Sequence, residues 1–397
     1  MYYKDLAGVK VSALGMGNMR LPTTDGNEAN IDFEKAQEII DYAISHGINY
    51  FDTAYRYHGG MSEIFIGQAL KKYPRESFVI ASKFPGHMME KKGGGVFGFT
   101  GMLAGRPDTT VDKLFHDQLE RCQVDYFDFY LLHNVSEKSI PFYTDPEINL
   151  IDYLLERKKE GKIRHLGFSC HAVYPETIDE FLTRYEGVFE FVKLQLNYLD
   201  WKLQDAKTKV EVIRKHGLKI NVMEGVRGGK LSVLPEAQMA KLKALRPEDS
   251  ASRWAFRWLQ SLPDIAVVLS GMTTMDQVIE NVETFDKPDP VTEEEKAVLA
   301  EVADSMLSWV PCTACRYCTE GCPMQLEIPK ILSAYNGLKN GDFMTWYDPD
   351  KAEPSMDPRR CVGCKACMAI CPQNIAIPDI MKEFAGILSD KSQGIPH

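Results

Sequence analysis

Eight short apolar runs, each followed by a stretch with helical periodicity, restrict this chain to a narrow set of folds. The runs are VSALGMG (11–17), INYFDTA (48–54), SFVIASK (77–83), FDFYLLH (127–133), IRHLGFS (163–169), FVKLQLN (191–197), KINVMEG (219–225) and IAVVLSG (265–271). Each is β-branched or aromatic and apolar on both faces, as a parallel strand covered by helices must be. Between the runs, apolar residues recur at helical spacing: Phe33, Ala36, Ile40 and Ala43, with Gly47 as a stop signal; Val111, Leu114, Phe115, Leu119 and Cys122; Ala251, Trp254, Ala255, Trp258 and Leu259. Eight strands with a helix after each predict an α/β fold, a (β/α)8 TIM barrel. An open doubly wound sheet is the alternative, but it normally carries a Gly-rich fingerprint after its first strand, and GMGNMRLP is a poor one. Ahead of the barrel, YYKDLAGVKVS predicts a hairpin around Ala7 and Gly8.

At 397 residues the chain is too long for one average domain. Its character changes after VTEEEKAVLAEVADSM (291–306), which reads as a charged helix capped by Thr292 and Glu295. The expected domains are therefore 1–300 and 301–397. A net charge of −10 gives no basic footprint for nucleic acid or an anionic membrane, and no run of 18 apolar residues would span a bilayer. The start, MYYKDLAGVK, lacks the apolar core of an export signal, so the expected location is the cytoplasm. Residues 84–110 form a long Gly-rich connection, read either as a lid or as a floppy surface insertion. The tail SDKSQGIPH reads as disordered.

Eight of the ten cysteines sit in two runs, CTACRYCTEGCP (312–323) and CVGCKACMAICP (361–372). Both have the spacing Cys-x2-Cys-x2-Cys-x3-Cys-Pro. That spacing wraps three thiolates round one cluster and aims the fourth, before proline, at the other. The expected ligand sets are Cys312, Cys315, Cys318 and Cys371 for one 4Fe–4S cluster, and Cys361, Cys364, Cys367 and Cys322 for the second. Zinc also takes Cys-x2-Cys pairs, but four ligands close its site and leave the doubled pattern without a reason. The segment resembles the two-cluster bacterial ferredoxins. Its spacer, LEIPKILSAYNGLKN, is long and partly helical, closer to the helical ferredoxin domains of redox complexes.

In a barrel of this kind the chemistry lies at the C-terminal ends of the strands. Asp52 follows the second run, Lys83 ends the third, His133 ends the fourth, and Tyr57 lies just beyond Asp52. Taken singly, each has an ordinary reading: a turn cap, a solvated lysine, a rim histidine, a loop aromatic. Together on three successive strand ends they make a proton-transfer site. A phenol titrates near ~10 and is a poor acid at neutral pH. An adjacent ammonium would lower that value, a carboxylate would keep the ammonium from being buried alone, and a histidine would orient a carbonyl oxygen.

These motifs, DTAYRY, ASK and FDFYLLH, resemble those of the aldo-keto reductase family, and the resemblance covers nearly all of residues 1–290. It implies a tetrad of Asp52, Tyr57, Lys83 and His133, with Tyr57 as the acid, and a nicotinamide cofactor, NADP(H) or NAD(H), extended across the barrel mouth. GFSC and QLNY would place Ser169, Cys170 and Gln195 at the carboxamide. EGVRGGKL would place Gly225, Arg227, Gly228 and Gly229 near the pyrophosphate, and IEN would place Glu280 and Asn281 at the adenine. Three departures stand out. Cys170 replaces the family's asparagine. No tyrosine neighbours Glu224 to stack on the nicotinamide. Gly271 and Gln277 occupy the positions of the lysine and arginine that clamp a 2′-phosphate.

A nicotinamide moves two electrons as hydride and a 4Fe–4S cluster moves one, so the two need a converter such as a flavin. Three readings follow. The barrel reduces a small carbonyl substrate while the clusters are structural or serve an outside redox partner protein. The altered mouth holds a flavin or takes electrons from the clusters. The barrel is inert, and the chain is an electron carrier or redox sensor. Loops 84–110 and 134–148 would set the substrate.

Overall fold

The computed structural model describes residues 1–100, 103–171, 173–339 and 353–389. The predicted disordered tail lies, apart from its first residue, outside them. Eight parallel strands close a barrel in sequence order: β1 Leu14–Gly17, β2 Tyr50–Asp52, β3 Val79–Phe84, β4 Phe127–Leu132, β5 Ile163–Cys170, β6 Phe191–Gln195, β7 Lys219–Met223 and β8 Ile265–Ser270. The expected TIM barrel is what forms. Strand alternation explains why the runs are apolar on both faces. Phe129 and Leu131 join Tyr50, Ala81, Phe191 and Val267 inside the barrel, whereas Tyr130 and Leu132 face the helices.

The N-terminal hairpin pairs Tyr3–Leu6 with Val9–Ser12 through Ala7 and Gly8, both at positive φ, and its Leu6 and Val11 plug the bottom of the barrel. The apolar run at 11–17 is thus two elements rather than one. The Asn49 side chain captures the Ser12 N–H at 2.7 Å and the Ser12 hydroxyl donates to the Leu14 carbonyl at 2.6 Å, which breaks the strand before β1. The predicted helical faces at 111–122 and 251–260 are buried. Thr292 and Glu295 cap the helix Glu293–Asp304 reciprocally, and the Glu295 carboxylate also accepts from buried Arg257 at 2.8 Å.

Residues 84–110 depart from expectation. They are not structureless where described: Met89–Gly93, Val96–Phe99 and Thr109–Thr110 form a small antiparallel sheet. Gly93, Gly94 and Gly95 supply a turn at positive φ, and their density in the sequence hides the strand beside them. Phe97 anchors the sheet, edge-on to Phe84 (5.9 Å between centroids) and to Phe142 (5.6 Å).

The C-terminal segment has its own apolar cluster, running from Val310 to Leu388, built on the helices Ile328–Lys339 and Ile377–Ser389. No helix among the described residues is long and apolar enough to cross a membrane. Phe97→Ala, which empties a fully buried ring site, is expected to destabilise the chain by about 3 kcal/mol and to lower its thermal midpoint in circular dichroism. An unchanged midpoint would mean that the small sheet is not part of the core.

Candidate active site and cluster cavities

The pairing of β2 with β3 sets Asp52 opposite Ala81, two residues short of Lys83, so both side chains emerge at the same end of the barrel. Lys83 Nζ donates to Asp52 Oδ1 at 2.7 Å, to the Thr53 carbonyl at 2.6 Å and to the Tyr57 hydroxyl at 3.3 Å. The turn carrying Tyr57 is fixed by its neighbour His58, at φ 54°. One ring nitrogen of His58 accepts the Leu21 N–H at 3.1 Å, and the other donates to the Glu28 carbonyl at 2.6 Å. The His133 ring stands edge-on to Tyr57, 5.9 Å between centroids, and Tyr143 pins the His133 carbonyl. The four predicted catalytic side chains are brought together.

One partner was not anticipated. Lys193, in the middle of β6, donates to the other oxygen of Asp52. Burial pushes Lys193 down to about 7, against the pull of Asp52. The expectation for Tyr57 is also corrected. Burial first, and the Asp52 charge second, raise its hydroxyl above the ordinary phenol range rather than lowering it. Tyr57 therefore rests as a protonated donor. Burial, with His87 and Lys83 adding to it, holds His133 neutral.

A cavity of ≈ 450 Å³ starts at Asp52 and Tyr57, passes Gly225, Gly228 and Gly229, and reaches Gly271, Gln277, Glu280 and Asn281. An extended dinucleotide fits that course. Gln277 nevertheless spends its side-chain oxygen on the N–H of Thr273 at 2.7 Å, and Asn281 donates to Ser270 at 3.1 Å. Glu280 accepts from Ser250.

Four predicted cofactor residues do not line this cavity. Ser169 is buried and accepts the Asn134 N–H at 2.9 Å. Cys170 belongs to the apolar core, where burial pushes its thiol up to about 12. Arg227 is buried against Asp200, Nε to Oδ1 2.9 Å, with its Nη2 left without a hydrogen-bond partner. Gln195 exchanges hydrogen bonds of 3.0 and 2.8 Å with Gln373, a residue of the C-terminal segment, and also donates to Asp200 at 2.8 Å.

The cysteines fall into two sets of four. Cys312, Cys315, Cys318 and Cys371 line one cavity; Cys322, Cys361, Cys364 and Cys367 line another. None is in a disulfide. Four thiols around an otherwise largely apolar space are the donor set a 4Fe–4S cluster takes, and the Ala314 N–H points at Cys312 Sγ from 3.4 Å. The first cysteine cavity shares Cys315, Tyr317 and Pro372 with the long cleft.

The two domains are pressed together at this point. Gly228, at φ 61°, lies so close that a Cβ would stand 1.8 Å from the Thr313 carbonyl oxygen. Arg20 donates to the Ala314 carbonyl at 2.8 Å, and the Arg56 guanidinium stacks 3.3 Å over the Tyr317 ring. Tyr317 thus brings an aromatic ring to the cleft beside Glu224, where the neighbouring sequence offers none. Burial raises Glu224 to about 7. Of the residues missed by sequence reasoning, Lys193 alone left a signal: a charge inside an apolar strand needs a buried partner.

A family model described as the aldo/keto reductase family matches residues 13–304, and one described as a 4Fe-4S dicluster domain matches residues 311–376. The NADH-specific methylglyoxal reductase of Escherichia coli is 27% identical over 303 residues, covering 69% of this chain and 90% of that protein. The L-galactose dehydrogenase of Arabidopsis thaliana is 29% identical over 294 residues, covering 69% and 84% respectively. The holo form of the aldo-keto reductase AKR11C1 from Bacillus halodurans superposes with a TM-score of 0.58 at 29% identity, covering 76% of this chain and 96% of that one.

The depressed Lys193 gives a pH signature. In the unfolded chain this lysine titrates at its ordinary value, so between pH 7 and about 10 the unfolded state binds the extra proton and folding gains as pH rises. The stability of the wild type relative to Lys193→Met is expected to rise across that window in urea unfolding. A difference that stays flat would remove Lys193 from the buried charge set.

Proposed function

Because this chain belongs to the aldo/keto reductase family, we propose that it reduces a small carbonyl compound with a nicotinamide dinucleotide laid along the cleft and Tyr57 as the proton donor. It is an oxidoreductase that also carries a 4Fe-4S dicluster domain. The observation that supports the proton step best is the 3.3 Å contact between Lys83 and the Tyr57 hydroxyl, with Lys83 pinned by Asp52 and Thr53. The nicotinamide, when bound, supplies hydride to the carbonyl carbon. As charge builds on the carbonyl oxygen, the protonated phenol of Tyr57 transfers its proton. The resulting phenolate is then stabilised by the Lys83 ammonium, which is already oriented and needs no reorganisation. His133, kept neutral, can hold the substrate oxygen by a hydrogen bond without competing as an acid.

Cofactor choice follows from charge. Gly271 and Gln277 provide no cation for a 2′-phosphate, and Gln277 is occupied in capping the helix Met275–Thr284. We assign NADH over NADPH on that ground, in line with the relative that is an NADH-specific methylglyoxal reductase. Eight cluster cysteines free of disulfides fit a reducing cytoplasm.

A second reading has its own support in the wall shared by the cleft and the first cysteine cavity, Cys315, Tyr317 and Pro372. A 4Fe–4S cluster supplies electrons singly, and this wall would put such a source beside the substrate. The carbonyl would then take two electrons from a reduced one-electron carrier protein and two protons, one of them from Tyr57.

Anaerobically purified full-length protein is expected to oxidise NADH in the presence of methylglyoxal, and Tyr57→Phe to lower kcat roughly 10²–10⁴-fold. Wild-type activity retained in that variant would overturn the acid assignment. Turnover by dithionite-reduced protein without nicotinamide would transfer the case to the second reading, and a flavin released by acid would displace both.

A further inference from the structure

Lys230 belongs to the barrel but reaches into the C-terminal segment. It directly follows Gly228 and Gly229, which line the cleft. Two contacts fix its course. Gly228 is pressed on the Thr313 carbonyl, beside Cys312. Lys230 Nζ donates to the Ser333 hydroxyl at 3.0 Å, on the helix Ile328–Lys339 and one residue past Leu332, which lines the first cysteine cavity. The residue is half-buried.

No carboxylate among the described residues makes an ion pair with Lys230. Burial lowers it from the ordinary lysine value, charge on Cys312 pulls it back up, and Arg227 lowers it. Lys209 also lacks an ion pair, but there the charges that oppose burial include three carboxylates, Asp200, Asp205 and Glu137. For Lys230 a cluster cysteine stands in that place. Other cations that act on the first cysteine set are already engaged or wet. Arg227 pairs with Asp200 and Arg316 with Glu327, each at 2.9 Å, and Lys138 is exposed. Glu224 acts on Cys315 in the opposite sense. Burial raises that carboxyl to about 7, so near neutral pH it carries only part of its charge. The lysine that lines the second cysteine cavity, Lys365, is exposed, as is Cys364 beside it, and water screens its charge.

We propose that Lys230 raises the reduction potential of the first cluster above that of the second, so that an electron held by the pair rests at the cleft wall formed by Cys315, Tyr317 and Pro372. Uptake of one electron adds one negative charge within the four thiolates and makes or breaks no bond. A fixed ammonium in poorly hydrated surroundings favours that added charge, and local charge and solvent exposure are what set such potentials. Lys230 acts through the cluster and touches no substrate. The effect requires the iron of a 4Fe-4S dicluster domain and neither the carbonyl nor Tyr57, so it is read without turnover.

Cluster-loaded full-length protein, titrated with dithionite and redox mediators under electron paramagnetic resonance, is expected to show two one-electron midpoints. Lys230→Met keeps the apolar stem and removes the charge. In that variant the higher midpoint should fall by about tenfold in the reduction equilibrium constant, ~59 mV for one electron, while the lower stays in place. Lys230→Arg should hold the higher midpoint. Cys364→Ser, which alters only the second set, should move the lower midpoint and so identify it. Two midpoints unmoved in Lys230→Met would overturn the proposal. So would a fall in the lower one alone, or a higher midpoint that moves with Cys364→Ser. A purely structural role for Lys230 would reduce the iron content and leave the midpoints of the remaining clusters where they were, which also counts against it. If Lys230→Met does not hold its iron, Lys230→Gln carries the same comparison.

Discussion

A single carboxylate shared by two lysine side chains governs the architecture of this mouth. Asp52, Lys83 and Lys193 are each at most 3% exposed, and they come from β2, β3 and β6. Charges this dry are tolerable only while they hold one another. Without Asp52, two lysine amines would face each other in the barrel with no carboxylate to hold either. With Asp52 in place, Lys83 keeps an orientation that water would otherwise randomise. The barrel must therefore be closed before the site exists, since β6 is far from β2 and β3 in sequence and reaches them only across the interior.

A second buried set braces the same region from outside the barrel wall. Glu63 is fully buried and accepts from Ser82 at 2.6 Å, Gln118 at 2.7 Å and Arg121 at 2.9 Å. Ser82 immediately precedes Lys83, so the strand that delivers the lysine is held on both faces. The C-terminal segment completes the enclosure by a different means, close steric contact and amide exchange, at Gly228 with Thr313 and at Gln195 with Gln373. The cleft is thus walled by the barrel and by the C-terminal segment, whose own apolar cluster packs around eight cysteines.

Much of this was readable in the chain. Strands apolar on both faces announce a covered parallel sheet, and functional groups just past their ends announce the mouth. The cysteine spacing announces which thiols share a cavity, because short spacings leave the backbone few choices. Contacts between residues distant in sequence were not readable. Nothing near Tyr317 says that it will meet Arg56, and nothing near Gln373 says that it will engage the glutamine expected to face a cofactor. Gly93 to Gly95 misled in the other direction, since glycine-rich composition looked like an absence of structure where it supplies a turn. The direction of the Tyr57 shift was missed for another reason: pairwise reasoning counted the lysine beside the phenol and left out burial, the largest cause of the rise.

The contact between Gly228 and Thr313 has a further consequence. Thr313 lies between two cluster cysteines, in a loop whose shape depends on what those thiols hold. With a cluster on those thiols, a change in the loop's shape would press directly on the glycine turn that floors the cleft. Whatever reshapes that loop would therefore reach the barrel by steric contact alone, with no intervening element to carry it.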